Sequence, residues 1–380
     1  MFSKRRLAAG LLAAVLSFSA AAQVAPQAPG VAAKSWLLLD PGSGQLLTSG
    51  NPDERVEPAS LTKLMTAYLV FSAIKGKQLS LDQTVPVSTQ AWKTGGSRMF
   101  IEPDRPVTVQ ELIRGMIIQS GNDACVALAE AVAGSEENFA QMMNREAARL
   151  GLKSTHFMNA TGLTDPQHYS TARDLAVLAR AVIRDFPDFL PIYSTKDYTY
   201  NKIKQANRNR LLWVDPTVDG LKTGHTEAAG WCLIATAKRG ERRLISVILG
   251  AASDGVRAQE AHKLLNYGFQ FFDTVKVYDG GQVVKELPVY KGMAEVVKAG
   301  FTDSLVLSLP KGDAEKLKVD LVSMQPLLAP IAAGQQVATL KLSVDGKALA
   351  EYPVTALEAV PVAGFFGRLW DSVRLWLKKA

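Results

Sequence analysis

Apolar and polar positions follow two patterns in the first 270 residues. Apolar residues recur at helical spacing in five segments: residues 61–74, 108–119, 123–133, 136–150 and 172–185. The first of these segments is apolar on nearly every side, which is typical of a helix in the middle of a core. Short apolar runs bounded by turn residues predict strands at residues 34–39, 45–48, 230–237 and 244–251, and a further helical segment covers residues 256–272. Strands, then helices, then strands of an antiparallel sheet predict an α+β domain.

The pattern changes after about residue 276. Six short β-type runs follow, broken by Gly, Pro and Asp, at residues 283–287, 294–298, 304–309, 318–323, 336–344 and 349–354. Regular spacing without helices predicts a small all-β sandwich. The end of the chain is helical again. We therefore expect an α+β domain at residues 34–276, a β-rich domain at residues 277–358 and an amphipathic helix at residues 361–380.

The first 22 residues have the pattern of a secretory signal peptide. Lys4, Arg5 and Arg6 precede an uncharged run, residues 7–22, which ends in three alanines, a small-residue cleavage pattern. We expect the mature protein to work outside the cytoplasm, with an uncleaved N-terminal anchor as the alternative. Loss of this segment leaves 40 basic residues against 36 acidic ones, a net charge of +4. This charge is too small to indicate nucleic-acid binding.

Composition and motifs exclude several kinds of site. Four scattered histidines, with no HxH or HExxH motif, argue against a histidine-rich metal centre, and neither GxxxxGK[ST] nor GxGxxG occurs. We therefore expect no metal and no cofactor. Cys125 and Cys232 are too few for a disulfide scaffold. The compartment permits a bridge between them, while a small buried thiol is the usual explanation of such a cysteine, so both alternatives stay open.

An enzyme that works outside the cytoplasm without a metal or cofactor commonly relies on an activated side-chain nucleophile. The chain has no GxSxG elbow, but it contains the three motifs of serine–lysine acyl transfer, SxxK, SxN and KTG. Each motif also occurs as a decoy: SxxK begins at Ser60, Ser72 and Ser308, SGN at Ser49 and Ser120, and KTG at Lys93 and Lys222. Single matches therefore carry little weight, and the context must decide between them.

Only one member of each set has a suitable context. Ser60 lies at the start of the buried helix, where unpaired N–H groups provide positive potential, and Lys63 lies on the same face. The motif at residues 120–122 lies between two predicted helices, and the motif at residues 222–224 directly precedes the strand predicted at residues 230–237. Together these motifs predict a serine–lysine active site.

The surroundings of these motifs, residues 58–66, 120–124 and 218–226, closely resemble the low-molecular-mass penicillin-binding proteins, which are serine-type D-alanyl-D-alanine carboxypeptidases of the bacterial periplasm. The likeness runs from about residue 34 to the C-terminus. It includes residues 207–213, the β-rich second domain and the terminal helix. The resemblance implies removal of the terminal D-alanine from peptidoglycan pentapeptide stems, and acylation and inhibition by β-lactam antibiotics.

The resemblance also implies roles for the motif residues. Ser60 is expected to be the acyl nucleophile and Lys63 its neutral general base, since burial and the nearby cation Lys222 both lower a lysine pKa. Ser120 is expected to relay the proton to the leaving amine. Asn122 is expected to hold Lys63 and the substrate amide.

A second group is implied to bind the substrate. Lys222, Thr223 and Gly224 belong to the KTG motif, whose lysine and threonine are expected to bind the terminal carboxylate. The backbone N–H groups of Ser60 and His225 are expected to form the oxyanion hole. The further candidates are Arg257, for the carboxylate, and His168, for the deacylating water.

Three other functions are compatible with the same motifs. A serine β-lactamase of class A needs a glutamate for deacylation, and the loop at residues 161–170 offers only Asp165. A muropeptide endopeptidase would use the same site on cross-linked peptides. A non-enzymatic penicillin-binding envelope protein would be acylated without turnover. Turnover of benzylpenicillin tests the first alternative, and product analysis on cross-linked muropeptides tests the second. Absence of D-alanine release from a pentapeptide would favour the third.

The C-terminal segment predicts a membrane contact. On a helix, Phe365, Phe366, Trp370 and Trp376 fall on one apolar stripe, whereas Leu375 lies outside it. The polar side is net basic, which suits anionic phospholipid, and the segment is too charged to span a bilayer. We expect a periplasmic enzyme held peripherally at the outer face of the inner membrane. The alternative is a helix docked on the β-rich domain.

Overall fold

The computed structural model describes residues 27–377, so the predicted signal peptide lies outside the described residues. The helices in this range are α1 (Lys63–Lys75), α2 (Thr89–Lys93), α3 (Val109–Ile118), α4 (Asn122–Ala133), α5 (Glu136–Arg149), α6 (Ala172–Asp185), α7 (Leu190–Tyr193), α8 (Leu211–Val214), α9 (Asp254–Phe271) and α10 (Phe365–Leu377). The strands up to the end of the first sheet are β1 (Ser35–Asp40), β2 (Gln45–Gly50), β3 (Thr84–Val85), β4 (Val107–Thr108), β5 (Asp197–Tyr200), β6 (Ile203–Ala206), β7 (Val218–Thr226), β8 (Gly230–Arg239) and β9 (Arg242–Ala251). The strands that follow are β10 (Phe272–Tyr278), β11 (Val283–Tyr290), β12 (Val296–Gly300), β13 (Leu305–Pro310), β14 (Leu317–Ser323), β15 (Leu327–Leu328), β16 (Gln336–Val344) and β17 (Lys347–Ala356).

The first domain is built on an antiparallel five-stranded sheet in the order β2-β1-β9-β8-β7. Successive side chains of a strand point to opposite faces of the sheet. In β1, Leu37 and Leu39 accordingly pack into the larger core cluster, whereas Leu38 packs against α9 on the other side. The sheet therefore separates α9 from the remaining large helices, as expected for an α+β domain.

Helix α1 lies in the centre of the larger cluster. Its residues from Lys63 to Phe71 are all buried, and α3, α4, α5 and α6 surround it. The prediction of a helix that is apolar on nearly every side is confirmed. The α-helix begins two residues later than predicted, because a short 3-10 turn, Ala59–Thr62, leads into it.

The second domain contains strands and no α-helix between residues 272 and 356. Its six-stranded sheet has the order β14-β16-β17-β12-β11-β15, and a two-stranded ribbon of β10 and β13 packs over the same core. All six predicted β-type runs are strands, so the predicted β-rich domain is confirmed. The predicted boundary at residue 276 falls within β10.

The terminal helix α10 contacts the second domain by one narrow side. Asp371 Oδ2 accepts a hydrogen bond of 2.6 Å from the backbone N–H of Lys291, and Leu375 is half-buried beside it. The aromatic stripe points away from this contact and is exposed, with Phe366 at 83% and Trp376 at 69% of full accessibility. Residues 378–380 of the predicted helix lie outside the described range. No helix in the described part of the chain is long and apolar enough to cross a membrane.

Candidate active site

A cleft of about 750 Å³ opens beside the N-terminal end of α1. One wall is β7, the edge strand of the sheet, and the opposite wall consists of the loop before α4 and the segment at residues 161–163. Ser60, Ser120, Asn122, Thr223, Gly224 and His225 all line this cleft. The residues chosen from the three motifs therefore meet in one place.

Lys63 is the centre of the polar contacts below Ser60. Its Nζ lies 2.8 Å from Ser60 Oγ, 2.7 Å from Asn122 Oδ1 and 2.6 Å from the carbonyl oxygen of Thr161. The side chain is buried, and this burial lowers the pKa of Lys63 to about 8, with a smaller lowering contribution from Arg208. A lysine with this pKa is substantially neutral in weakly alkaline solution, so it can accept a proton from the serine.

Lys222 forms a second buried contact on the other side of the cleft. Its Nζ donates hydrogen bonds to Ser120 Oγ at 3.0 Å and to the Thr223 carbonyl oxygen at 2.9 Å. Burial holds the pKa of Lys222 well below its usual value, and the nearby Lys63 lowers it further. Ser120 has φ of +63°, a left-handed conformation that is uncommon for a residue with a side chain. Such strain is typical of functional sites.

The loop that carries Ser120 is fixed by buried polar contacts. The carboxylate of Asp123 accepts the backbone N–H groups of Met99 and Phe100 at 2.9 and 2.8 Å. The amide of Asn122 donates to the carbonyl oxygen of Gly95 at 2.7 Å. Because the start of α4 is bound to residues 95–101 in this way, Asn122 is held in position to contact Lys63.

The KTG motif directly precedes β8, as expected, and it lies within β7, a strand that the sequence pattern did not predict. Gly224 permits close packing there, because a Cβ atom would lie 3.0 Å from the Pro58 carbonyl oxygen and 3.2 Å from the Ser60 nitrogen, both tighter than ordinary contacts. This close approach brings the backbone of residues 224–225 next to the turn that carries Ser60. His225 is exposed at the cleft and stacks on Trp231 at a centroid distance of 4.0 Å.

Arg257 reaches the cleft wall, but its guanidinium is engaged with protein groups. Nη1 donates to the carbonyl oxygens of Gly224 at 2.9 Å and Cys232 at 3.2 Å, and Nη2 forms an ion pair with Asp254. The side chain is buried and lies over the ring of Trp231. These contacts fix β7 against β8, and the guanidinium is taken up by them.

The structure does not bring His168 into the cleft, contrary to its prediction as a residue that contacts substrate or water. The N–H of Met158 donates to His168 Nδ1, so the proton lies on Nε2, which donates to Thr62 Oγ1 at 2.9 Å. Burial lowers the pKa of His168 to about 4, so the ring is neutral. The imidazole is a buried support behind the serine turn.

Four residues that contribute to the cleft were not selected from the sequence. The carbonyl of Thr161 is a backbone acceptor, which no side-chain motif reveals. Gly162 has φ of +82°, and a Cβ atom there would overlap the carbonyl oxygen of Ala59. Arg208 and Arg210 line the cleft and make it electropositive. The resemblance at residues 207–213 is the signal that could have identified these two arginines.

Neither a metal site nor a reactive thiol is present in the described part of the chain. Within residues 27–377, no three His, Cys, Asp or Glu side chains are placed to hold a metal ion. Cys125 and Cys232 are buried and not bridged. Burial raises the pKa of Cys125 to about 12, so this thiol is inert although it lies near the lysines.

Comparison with known proteins agrees with the geometry of the cleft. Residues 22–253 match the sequence profile of the D-alanyl-D-alanine carboxypeptidases, and residues 272–362 match that of the penicillin-binding protein 5 C-terminal domain. D-alanyl-D-alanine carboxypeptidase DacC of Escherichia coli is 44% identical over 363 residues, which cover 93% of this chain and 91% of DacC. DacA of the same organism is 40% identical over 358 residues, with 92% and 89% covered.

The fold of a solved relative agrees over nearly its whole length. Penicillin-binding protein 5 from Haemophilus influenzae superposes with a TM-score of 0.85 at 41% identity, covering 88% of this chain and 99% of that structure. These matches favour the carboxypeptidase over the β-lactamase, endopeptidase and non-enzymatic alternatives. The chain therefore belongs to the D-alanyl-D-alanine carboxypeptidase family of penicillin-binding proteins, and it is a serine-type D-alanyl-D-alanine carboxypeptidase.

Proposed function

We propose that Ser60 is the acyl nucleophile and Lys63 its general base. The observation that carries the proposal is the 2.8 Å separation of Lys63 Nζ from Ser60 Oγ, together with the lowered pKa of Lys63. Lys63 takes the hydroxyl proton as Ser60 Oγ bonds to the carbonyl carbon of the penultimate D-alanine. The backbone N–H groups of Ser60 and His225 stabilise the resulting oxyanion, and one such donor typically contributes about 3 kcal/mol.

Ser120 passes a proton to the leaving amine in this mechanism. The hydroxyl of Ser120 accepts a hydrogen bond from Lys222 at 3.0 Å. Burial and the nearby Lys63 lower the pKa of Lys222, so this amine can exchange a proton with Ser120. When the peptide bond breaks, the nitrogen of the terminal D-alanine takes the proton and leaves as a free amine. Water then cleaves the Ser60 ester and restores the hydroxyl.

The same residues account for the choice of a C-terminal substrate. Lys222 and Thr223 are proposed to bind the terminal carboxylate, with Asn122 holding the substrate amide. Arg208 and Arg257 add positive charge to the cleft wall, which favours an anionic chain end over an internal peptide. We propose the pentapeptide stem of peptidoglycan as the substrate. β-Lactams are proposed to acylate Ser60, by analogy with the penicillin-binding relatives.

We further propose that the enzyme works in the periplasm, at the outer face of the inner membrane. Export is inferred from the signal-peptide pattern at residues 1–22. Attachment is inferred from α10, whose exposed stripe includes Phe366, Trp370 and Trp376 and whose other side carries Arg368 and Arg374. Aromatic and basic residues in this arrangement suit the interface of an anionic bilayer.

Release of D-alanine from a synthetic pentapeptide ending in D-Ala-D-Ala tests the assignment of Ser60. Ser60→Ala is expected to abolish release while it keeps the melting temperature. Ser72→Ala is the matched control, because Ser72 belongs to a second SxxK motif in the same helix but does not line the cleft. Retained release by Ser60→Ala, or equal loss in Ser72→Ala, would show that another group is the nucleophile.

A further inference from the structure

The orientation of the Lys63 amine depends on a backbone carbonyl. A neutral amine has two N–H donors and one lone pair. Two of the three groups around Lys63 Nζ, namely Asn122 Oδ1 and the Thr161 carbonyl oxygen, can only accept hydrogen bonds at 2.7 and 2.6 Å. When both N–H groups point to these acceptors, the lone pair faces Ser60 Oγ. The Thr161 carbonyl thus helps to aim the base at the nucleophile.

The chain segment at residues 159–162, which presents this carbonyl, is held from several sides. The carbonyl oxygen of Ala160 accepts a hydrogen bond of 2.6 Å from Thr66 Oγ1 on α1. The N–H of Thr161 donates to Asn159 Oδ1 at 3.1 Å within the same segment. The N–H of Ala160 donates to Glu136 Oε1 at 3.0 Å. Glu136 therefore connects this segment to α5, an element that carries none of the proposed catalytic groups.

Glu136 is held in place for this contact. It is the first residue of α5, directly after Ser135, whose side chain caps the helix, and Gln90 Nε2 donates to its other carboxylate oxygen at 3.2 Å. Its side chain is partly buried, whereas the next residue, Glu137, is exposed to solvent. Burial raises the pKa of Glu136, and its negative charge in turn raises the pKa of Lys63.

We propose that Glu136 is a positioning residue for the general base: by accepting the N–H of Ala160, it fixes the Thr161 carbonyl and so aims the Lys63 lone pair at Ser60. The proposal rests on the roles proposed above for Ser60 and Lys63. The titratable groups that face Lys63 come from four elements: Asp123 and the neutral Cys125 on α4, Glu136 on α5, Lys222 on β7 and Arg208 in the segment before α8.

The test measures two quantities separately: the rate constant for acylation by benzylpenicillin, and the dissociation constant of the non-covalent complex that precedes acylation. Glu136→Ala is expected to lower the acylation rate about tenfold, because misplacement of a reacting group by a fraction of an ångström has effects of this order. The dissociation constant should not change. Glu136→Gln keeps an acceptor oxygen and should restore most of the rate. Glu137→Ala is the matched control and should acylate like the wild type.

The pH profile supplies a measurement that a purely structural role does not affect. Glu136→Gln removes a negative charge near Lys63, so the acid limb of its acylation profile should move to lower pH, whereas Glu137→Gln should leave the limb in place. Glu136→Asp shortens the side chain by one methylene and so moves the acceptor oxygen away from the Ala160 N–H. Its acylation rate should also be reduced, and this variant tests the proposal if Glu136→Ala does not fold.

Three results would overturn the proposal. The first is a wild-type acylation rate in Glu136→Ala, or in Glu136→Asp if the alanine variant is unfolded. The second is an equal loss of rate in Glu136→Gln and Glu136→Ala, and the third is an acid limb that does not move in Glu136→Gln. Failure of the proposed function is a different result. In that case the wild-type protein itself neither reacts with benzylpenicillin nor releases D-alanine. An active wild type with normal Glu136 variants refutes only the positioning role.

Discussion

Replacement of Lys63 by arginine separates the loss of a base from the loss of a positive charge. The arginine variant keeps a cation at the site, but a guanidinium does not deprotonate at working pH. If Lys63 acts as a neutral base, Lys63→Arg should abolish acylation of Ser60. If Lys63 acts only as a cation that binds the substrate or the oxyanion, the variant should keep much of the activity.

The pKa of Lys63 sets the size of the expected loss. With a pKa of about 8, about one tenth of the lysine is neutral at pH 7. If burial lowered the guanidinium pKa by the same amount, from about 12.5 to about 10, its neutral fraction would be about 0.001. The acylation rate should therefore fall at least about a hundredfold, since the rate follows the fraction of neutral base.

Acylation by benzylpenicillin and release of D-alanine from pentapeptide should be followed between pH 6 and pH 9. The wild-type rate should fall about tenfold for each pH unit below about pH 8, because Lys63 becomes protonated. The apparent pKa of this acid limb belongs to the coupled pair of Lys63 and Lys222 rather than to one residue. Lys75→Arg is the matched control, because Lys75 belongs to the decoy SxxK motif at the exposed end of α1. A Lys63→Arg variant that is folded and keeps more than a few per cent of wild-type activity would refute the assignment of Lys63 as the base.

Three further predictions concern other parts of the molecule. Gly224→Ala should lower the acylation rate about tenfold or more, measured with benzylpenicillin, because its Cβ would lie 3.0 Å from the Pro58 carbonyl oxygen and push β7 from the serine turn. The folded state lowers the pKa of Lys63 from 10.5 to about 8, so the unfolded state binds more protons between these pH values and the protein becomes more stable as the pH rises. Urea titrations at pH 7 and pH 10 should show that the free energy of unfolding of the wild type increases by up to about 3 kcal/mol more than that of Lys63→Met. An equal change in the two proteins would contradict the lowered pKa. Truncation before Phe365 should release the exported protein into the soluble periplasmic fraction with unchanged activity on soluble pentapeptide, and continued sedimentation with membranes would contradict the anchor.

The motifs could be chosen from the sequence because their surroundings carry periodic signals. Residues 61–74 are apolar on nearly every side, so they predicted a buried helix. The position of Ser60 at the N-terminal end of that helix favoured Ser60 over Ser72. The strand β7 was not predicted, because the sequence Val-Asp-Gly-Leu-Lys-Thr-Gly has two glycines and two charged residues and no alternation. It forms a strand because β8 pairs with it and the serine turn covers it.

Contacts made by the backbone or across long sequence separations could not be read from any motif. The Thr161 carbonyl binds Lys63 across 98 positions of the chain, and the close packing at Gly224 arises because the turn from Pro58 to Ser60 lies opposite. His168 lies only a few residues from this segment, yet its ring turns to Thr62 behind the cleft. A sequence shows which side chains are available, but the direction in which a loop presents them depends on the packing of the whole domain.

The terminal helix shows how packing explains an apparent exception in a sequence pattern. Leu375 lies outside the aromatic stripe, which counted against a clean amphipathic helix. In the structure Leu375 and Asp371 form the side that contacts the second domain, where Asp371 binds the backbone of Lys291. The helix therefore has two faces with different partners: a narrow one that fixes its direction on the β-rich domain, and a broad aromatic one that stays free. Because the narrow face already holds the helix to the protein, the exposed face containing Phe366 is available to a membrane.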